Sequence, residues 1–158
     1  MKKSLLIISC SGKKDKALGK LPALMRYKGP FYPTLHKAIR ENRLPKYLDI
    51  LIISAKYGLL KSDDPIECYD QKMDATLANE LRPHIQADLK AFLNGKDYDQ
   101  LFNGLWQVYN KTLEGFDLEK YCEHVIPVET NRGKRMRQLK QWIIALFEKE
   151  QANSTLHI

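Results

Sequence analysis

Leu5-Leu6-Ile7-Ile8-Ser9 and Leu48-Asp49-Ile50-Leu51-Ile52-Ile53-Ser54 are the stretches on which the fold turns. Neither alternates apolar with polar residues, as a strand with one wet face would. Short apolar runs rich in β-branched isoleucine read as strands buried on both faces. Such strands need helices on each side, and the intervening residues carry helical periodicity. Leu35, Ala38 and Ile39 make a short amphipathic helix ended before Pro45. Leu77, Leu81, Ile85, Leu89 and Leu93 recur every four residues on one side of a longer helix. Asp74 or Thr76 can cap that helix, Pro83 can kink it, and Gly95 closes it. A third strand is expected over 98–105, a short helix over 106–114 and a fourth strand over 124–128. A last helix from about Arg132 would bury Met136, Leu139, Ile143, Leu146 and Phe147. Residues 10–30 and 58–73 read as loops. The expected fold class is α/β, a three-layer sandwich around a central, mostly parallel four-stranded sheet. It forms one domain over 1–150, followed by a frayed tail over 151–158.

The chain has 158 residues, 44% of them apolar and 28% charged, enough for a core without staples. Its basic start and short apolar run resemble a signal peptide, but Cys10-Ser11-Gly12-Lys13-Lys14 follows at once with no small-residue cleavage site. No stretch approaches the roughly 20 apolar residues of a membrane span. Cys10, Cys68 and Cys122 form neither an even framework nor a metal spacing, so reduced thiols and a cytoplasmic location are expected. The net charge of +7 is uneven. Residues 1–28 carry eight cations against Asp15, and residues 132–150 six against two carboxylates, whereas 62–100 carry nine carboxylates against four cations. Two basic blocks favour a polyanionic partner over a merely basic surface.

In open sheets of this kind, ligands bind beyond the carboxyl ends of the strands, where strand order reverses. That rule selects residues 9–16, 54–73, the Asn103 corner and 129–135. The first loop combines backbone N–H groups, the Ser11 hydroxyl, Lys13 and Lys14, a combination suited to an anion. It is not a Walker loop, because Ile7 stands where the first glycine belongs and Lys14 where a hydroxyl residue does. Cys10 reads as a packed thiol before a nucleophile, since no histidine is placed by sequence to activate it. In the second loop, Ser54, Lys56 and Tyr57 leave a buried strand for the pocket mouth. Asp63 and Asp64 read as solvated, whereas Ile66, Cys68 and Tyr69 should anchor Glu67 and Asp70, either of which is a candidate catalytic carboxylate. At the last helix, Arg132, Lys134, Arg135 and Arg137 crowd a terminus that disfavours cations unless an anion sits there. The histidines form no ligand cluster by spacing, so neither a metal nor another cofactor is expected.

Cys10-Ser11-x-x-Lys14, Ser54-Ala55-Lys56-Tyr57-Gly58-Leu59-Leu60 and Ile66-Glu67-x-Tyr69-Asp70 together resemble a largely uncharacterised domain family grouped with the YaaA peroxide-stress proteins. They are also similar to the core domain of archaeosine synthase, a branch similar to the uracil-DNA glycosylase-like fold. Small members of this kind include DNA glycosylases of bacterial antiviral defence that remove glucosylated hydroxymethylcytosine from phage DNA. The resemblance implies a DNA glycosylase acting on a flipped modified base. The chain lacks the Asp-Pro-Tyr motif after strand one and the late histidine loop of ordinary uracil-DNA glycosylases, so their catalytic residues do not transfer.

Cleavage of an N-glycosidic bond passes through an oxocarbenium-like sugar. Asp70 or Glu67 would stabilise that charge and activate water. Ser54, Lys56 or Asn103 would stabilise the departing base, with Cys10 and Ser11 nearby. Tyr57 and Tyr69 would stack the flipped base. Lys13, Lys14, Arg132, Lys134 and Arg135 would hold phosphates of the DNA partner. A lyase step through the amine of Lys13 or Lys56 is a variant of this scheme. The alternatives are a tRNA deazaguanine-modifying enzyme, with a lysine or Cys10 as nucleophile, and a non-catalytic DNA-binding stress protein.

Overall fold

The computed structural model describes residues 1–156. In chain order the elements are β1 (Ser4–Ser9), β2 (Leu21–Pro22), α1 (Ala23–Arg26), α2 (Tyr32–Arg40), β3 (Leu48–Ser54), β4 (Gly58–Lys61) and β5 (Pro65–Ile66). They continue with α3 (Ala75–Leu93), β6 (Tyr98–Asn103), α4 (Gln107–Asn110), β7 (Cys122–Val125) and α5 (Arg132–Leu156), with short 3-10 turns at Lys111–Leu113 and Leu118–Tyr121. The main sheet runs β4-β3-β1-β6-β7, parallel except for β4, which returns antiparallel along β3.

Both faces of this sheet are covered, for the reason the apolar runs imply. Successive strand side chains point to opposite faces. Leu6, Ile8, Ile50, Ile52 and Phe102 pack with Leu35 of α2 and with Leu139, Trp142, Ile143 and Leu146 of α5. Leu5, Ile7, Leu51, Ile53 and Leu101 pack with Ile85, Leu89 and Leu93 of α3. Asp74 caps α3, its carboxylate accepting the Leu77 N–H at 2.7 Å, and Gly95 ends it at φ +76°. The helix runs on past Pro83, whose side is exposed.

The sheet has five strands and is mixed, where a mostly parallel four-stranded one was expected. Gly58 does not open a long loop. At φ +74° it lets the chain turn straight back, so that Leu60 joins the core as part of β4. The two expected loops also pair with each other, Leu21 opposite Ile66 and Pro22 opposite Pro65. Unstructured connections of this length are uncommon in compact domains, because their backbone groups need partners. At the other end α5 continues helical through residue 156 where a frayed tail from 151 was expected; residues 157–158 lie outside the described residues.

β1 is central, with β3 on one side and β6 on the other, so strand order reverses between β1 and β6. Cys10, Ala55 and Gly104 follow these three strands along one edge of the sheet.

Candidate functional site

The segment after β1 is held down rather than loose. Residues 13–15 run antiparallel to 26–28: the Asp15 N–H donates to the Arg26 carbonyl at 2.7 Å and the Lys28 N–H to the Lys13 carbonyl at 2.9 Å, with Lys14 paired opposite Tyr27. Ser11 Oγ accepts from the Gly29 N–H at 3.0 Å and donates to the Lys13 carbonyl at 2.6 Å. The two segments approach so closely that a Cβ on Gly29 would lie 2.3 Å from that of Ser11. Arg26, fully buried, donates to the carbonyls of Asp15, Ala17, Gly19 and Ile66, pinning this loop to β5.

This pairing turns Lys14 inward. It is 7% exposed, with Nζ 4.4 Å from the Tyr69 ring centroid and 5.9 Å from that of Tyr27. Its hydrogen-bond contact is a long one, 3.5 Å to the Gly12 carbonyl. Among the described residues no carboxylate lies within ion-pair distance of it. Buried charges are ordinarily paired, so an amine enclosed by aromatic faces without a carboxylate partner among the described residues is an unusual feature of this edge.

Beneath it lies a chain of hydroxyls. Ser54, fully buried, accepts the N–H groups of Lys56 and Tyr57 at 3.1 and 3.0 Å, which fixes the turn into β4. Its oxygen lies 2.9 Å from the Tyr69 hydroxyl, which lies 2.6 Å from that of Tyr27. Across the β1–β6 reversal, Cys10 Sγ meets the Tyr109 hydroxyl at 3.0 Å. Burial pushes the Tyr27 phenol up to about 12 and holds those of Tyr69 and Tyr109 well above the usual range, with the neighbouring Cys10 thiol adding to both of the latter. These phenols are neutral hydrogen-bonding groups at any physiological pH.

The expected site residues divide into three groups. Cys10, Lys14, Ser54, Lys56, Tyr57 and Tyr69 come together. Ser54 is at the floor rather than the mouth, while Lys56 is exposed and Tyr57 half-buried as the outer layer, with the Lys56 Nζ 5.3 Å from the Tyr57 ring centroid and 5.6 Å from that of Tyr69. Tyr69 does not present an open face for stacking: Lys14 lies over its ring, and Tyr27 and Tyr57 meet it nearly perpendicular, at 84° and 86°. Glu67 and Asp70 bracket buried Tyr69 but are themselves exposed and unpaired among the described residues. Ser11 and Asn103 are spent on shaping loops. Asn103 accepts the Leu105 N–H and donates to the Asn110 side chain.

A stack joins the segment that follows the first basic loop to the start of α5. Phe31 lies flat on Trp106, centroids 5.3 Å apart and planes within 6°, and the Arg135 guanidinium lies 4.6 Å from the Trp106 centroid. Arg135 also donates to the carbonyls of Leu105 and Glu129. Phe31 sits at φ +73°, strain that the stack helps to hold. Arg135 is thus a tether, while the other three expected phosphate contacts, Lys13, Arg132 and Lys134, are exposed and without ion pairs among the described residues.

Tyr27, Tyr109 and Arg26 join the cluster although the sequence pattern does not single them out. The signal was weak but present: Arg26-Tyr27-Lys28 alternates as an edge ribbon does, within a connection too long to stay unpaired. Elsewhere, Asp99, Glu123 and His124 bring possible metal-ligand atoms within 4.8 Å of one another at the opposite edge, where Lys149 and Lys2 already pair with the two carboxylates.

No helix among the described residues is long and apolar enough to cross a membrane. No curated protein matches the chain. Residues 5–143, which include every side chain of the buried cluster, match DUF6884, a family of unknown function, and the chain belongs to that family.

Proposed function

We propose that this chain is a DNA glycosylase of the uracil-DNA glycosylase-like kind, hydrolysing the N-glycosidic bond of an extruded modified base. Glucosylated hydroxymethylcytosine of phage DNA, in an antiviral role, is the substrate that the family resemblance points to. The observation that carries the reading is Lys14, a buried ammonium without a carboxylate, set among phenols at the carboxyl edge of the sheet. A base drawn against this cluster brings its anomeric carbon to the rim, where Glu67 and Asp70 stand exposed on either side of Tyr69. A rim carboxylate is in the right layer to activate water against the sugar. Lys13, Arg132 and Lys134 then meet the phosphates on either side of the extruded nucleotide.

The test is incubation with phage DNA bearing modified cytosines, followed by mass spectrometry of released bases. The wild-type protein releases a base. Asp70→Ala and Glu67→Ala retain DNA binding, and at least one abolishes release; full activity in both rejects the carboxylate assignment. DNA affinity falls steeply with added salt, and a salt-insensitive affinity counts against the phosphate contacts. Salt-sensitive DNA binding without release of any base would favour the non-catalytic stress-protein reading. Turnover of a nitrile-bearing deazaguanine in tRNA would favour the tRNA-modifying one, with Cys10 or a lysine as nucleophile.

A further inference from the structure

Hydrogen-bond accounting in the buried cluster leaves a proton over. Two backbone N–H groups, from Lys56 and Tyr57, fill both lone pairs of Ser54 Oγ. The Ser54 hydroxyl proton therefore goes to a phenol, the Tyr69 oxygen lying 2.9 Å away. That oxygen also meets the Tyr27 oxygen at 2.6 Å. Three hydroxyl protons thus share two oxygen–oxygen contacts, so one phenolic proton, on Tyr27 or on Tyr69, has no acceptor in the chain of hydroxyls. Above the same ring, the Lys14 ammonium has, among the described residues, only the Gly12 carbonyl, 3.5 Å away. Cys10 and Tyr109 are engaged with each other. A spare phenolic proton beside an unpaired ammonium, both buried, is a donor-only arrangement suited to a group that develops negative charge.

Resting on the glycosylase reading, we propose that Lys14 and the Tyr27–Tyr69 pair form the site that stabilises the departing base as an anion. The bond from C1′ to the base nitrogen breaks with both electrons passing to the base, whose charge spreads onto its ring nitrogens and exocyclic oxygen. The spare phenolic hydrogen bond and the ammonium meet that charge. Water adds its oxygen to C1′ and gives its proton to the rim carboxylate. An equivalent proton from solvent then neutralises the free base, and the carboxylate returns its own to solvent. The net change is nucleotide plus water to free base plus abasic sugar. The phenols act as hydrogen-bond donors and keep their protons, in line with the rise that burial imposes on both. Lys14 and Tyr27 thereby gain roles that go beyond phosphate contact and packing.

The experiment compares Tyr27→Phe, Tyr69→Phe and Lys14→Met with wild type on two oligonucleotides. One carries glucosylated 5-hydroxymethylcytosine. The other carries its uracil counterpart, a better leaving group because a second carbonyl shares the charge. Each variant is expected to release the cytosine base roughly 100- to 1000-fold more slowly, the loss typical of removing a preorganised donor. The loss on the uracil counterpart is expected to be much smaller, with DNA binding retained on both. Equal losses on the two bases, or unchanged rates in the variants, overturn the assignment while leaving the glycosylase reading intact. Failure of the wild type to release either base removes that reading, and this assignment with it. Circular dichroism melting reports folding; if Tyr69→Phe does not fold, Tyr27→Phe and Lys14→Met decide.

Discussion

The two edges of the sheet treat several of their charges differently. At the amino edge, Lys2 pairs with Asp97 and Glu123, Lys3 with Asp49, and Lys149 with Asp99. Buried Glu150 of α5 accepts the N–H groups of Lys46 and Tyr47 at 2.9 and 2.7 Å, fixing the entry to β3. At the carboxyl edge Lys28 pairs loosely with Asp15 at 3.9 Å, but Lys13, Lys14, Lys56, Arg132, Lys134, Glu67 and Asp70 have no ion pair among the described residues. Ion pairing gives these groups no part in holding the fold, whereas the buried contacts of Glu150 at the other edge help to hold it together. The contrast fits the proposed site at one edge and support at the other, and it can be probed from both.

The largest effect on stability is expected at the supporting edge. Glu150→Ala leaves two backbone N–H groups without their acceptor and should cost about 3 kcal/mol in urea denaturation, while leaving intact the DNA binding proposed for the carboxyl edge. Lys14→Met should leave the melting temperature unchanged or raised, since it removes a buried charge that has no counter-charge. A comparable loss of stability there would mean that Lys14 is structural and would blur the contrast. Gly29→Ala should cost about 1–3 kcal/mol, because its Cβ meets that of Ser11 at 2.3 Å and one segment must move. This change should also weaken the proposed DNA binding, since it displaces the loop that carries Lys13 and Lys14.

A pH experiment sharpens the same comparison. Tyr27, Tyr32, Tyr69, Tyr98 and Tyr109 are all raised, chiefly by burial. A phenol with a raised folded value favours the fold fully below pH of about 10, its unfolded value, and loses that contribution as pH climbs toward the folded value. Stability should therefore fall above that point. Ultraviolet titration should show these phenols ionising only as the protein unfolds; normal titration of all eight tyrosines in the folded protein would show that the cluster is open to solvent. Lys3→Ala removes an exposed pair and should cost less than about 1 kcal/mol, and less still in added salt.

Much of the framework is legible in the order of residues alone. The isoleucine-rich runs of β1 and β3, the four-residue leucine spacing of α3 and the Asp74 cap depend on neighbours in sequence, and each appears where its period places it. The rule that ligands sit beyond carboxyl ends also selects the loops that hold Cys10, Lys14, Ser54 and Tyr69. Their roles are not legible in the same way. Lys14 reads like any loop lysine until its pairing opposite Tyr27 turns it inward. Tyr69 reads as a stacking surface until Ser54, Tyr27 and Lys14 surround it.

The sequence by itself determined the buried strands, the helix that covers one face and the uneven charge, because these follow from periodicity and composition over adjacent residues. Only the tertiary structure decided that β4 runs antiparallel, that Arg26 ties residues 15–19 to Ile66, and that Tyr27 and Tyr69 share a hydrogen bond. Those contacts join residues as many as 42 positions apart, and no local period records which distant backbone or hydroxyl a side chain will meet.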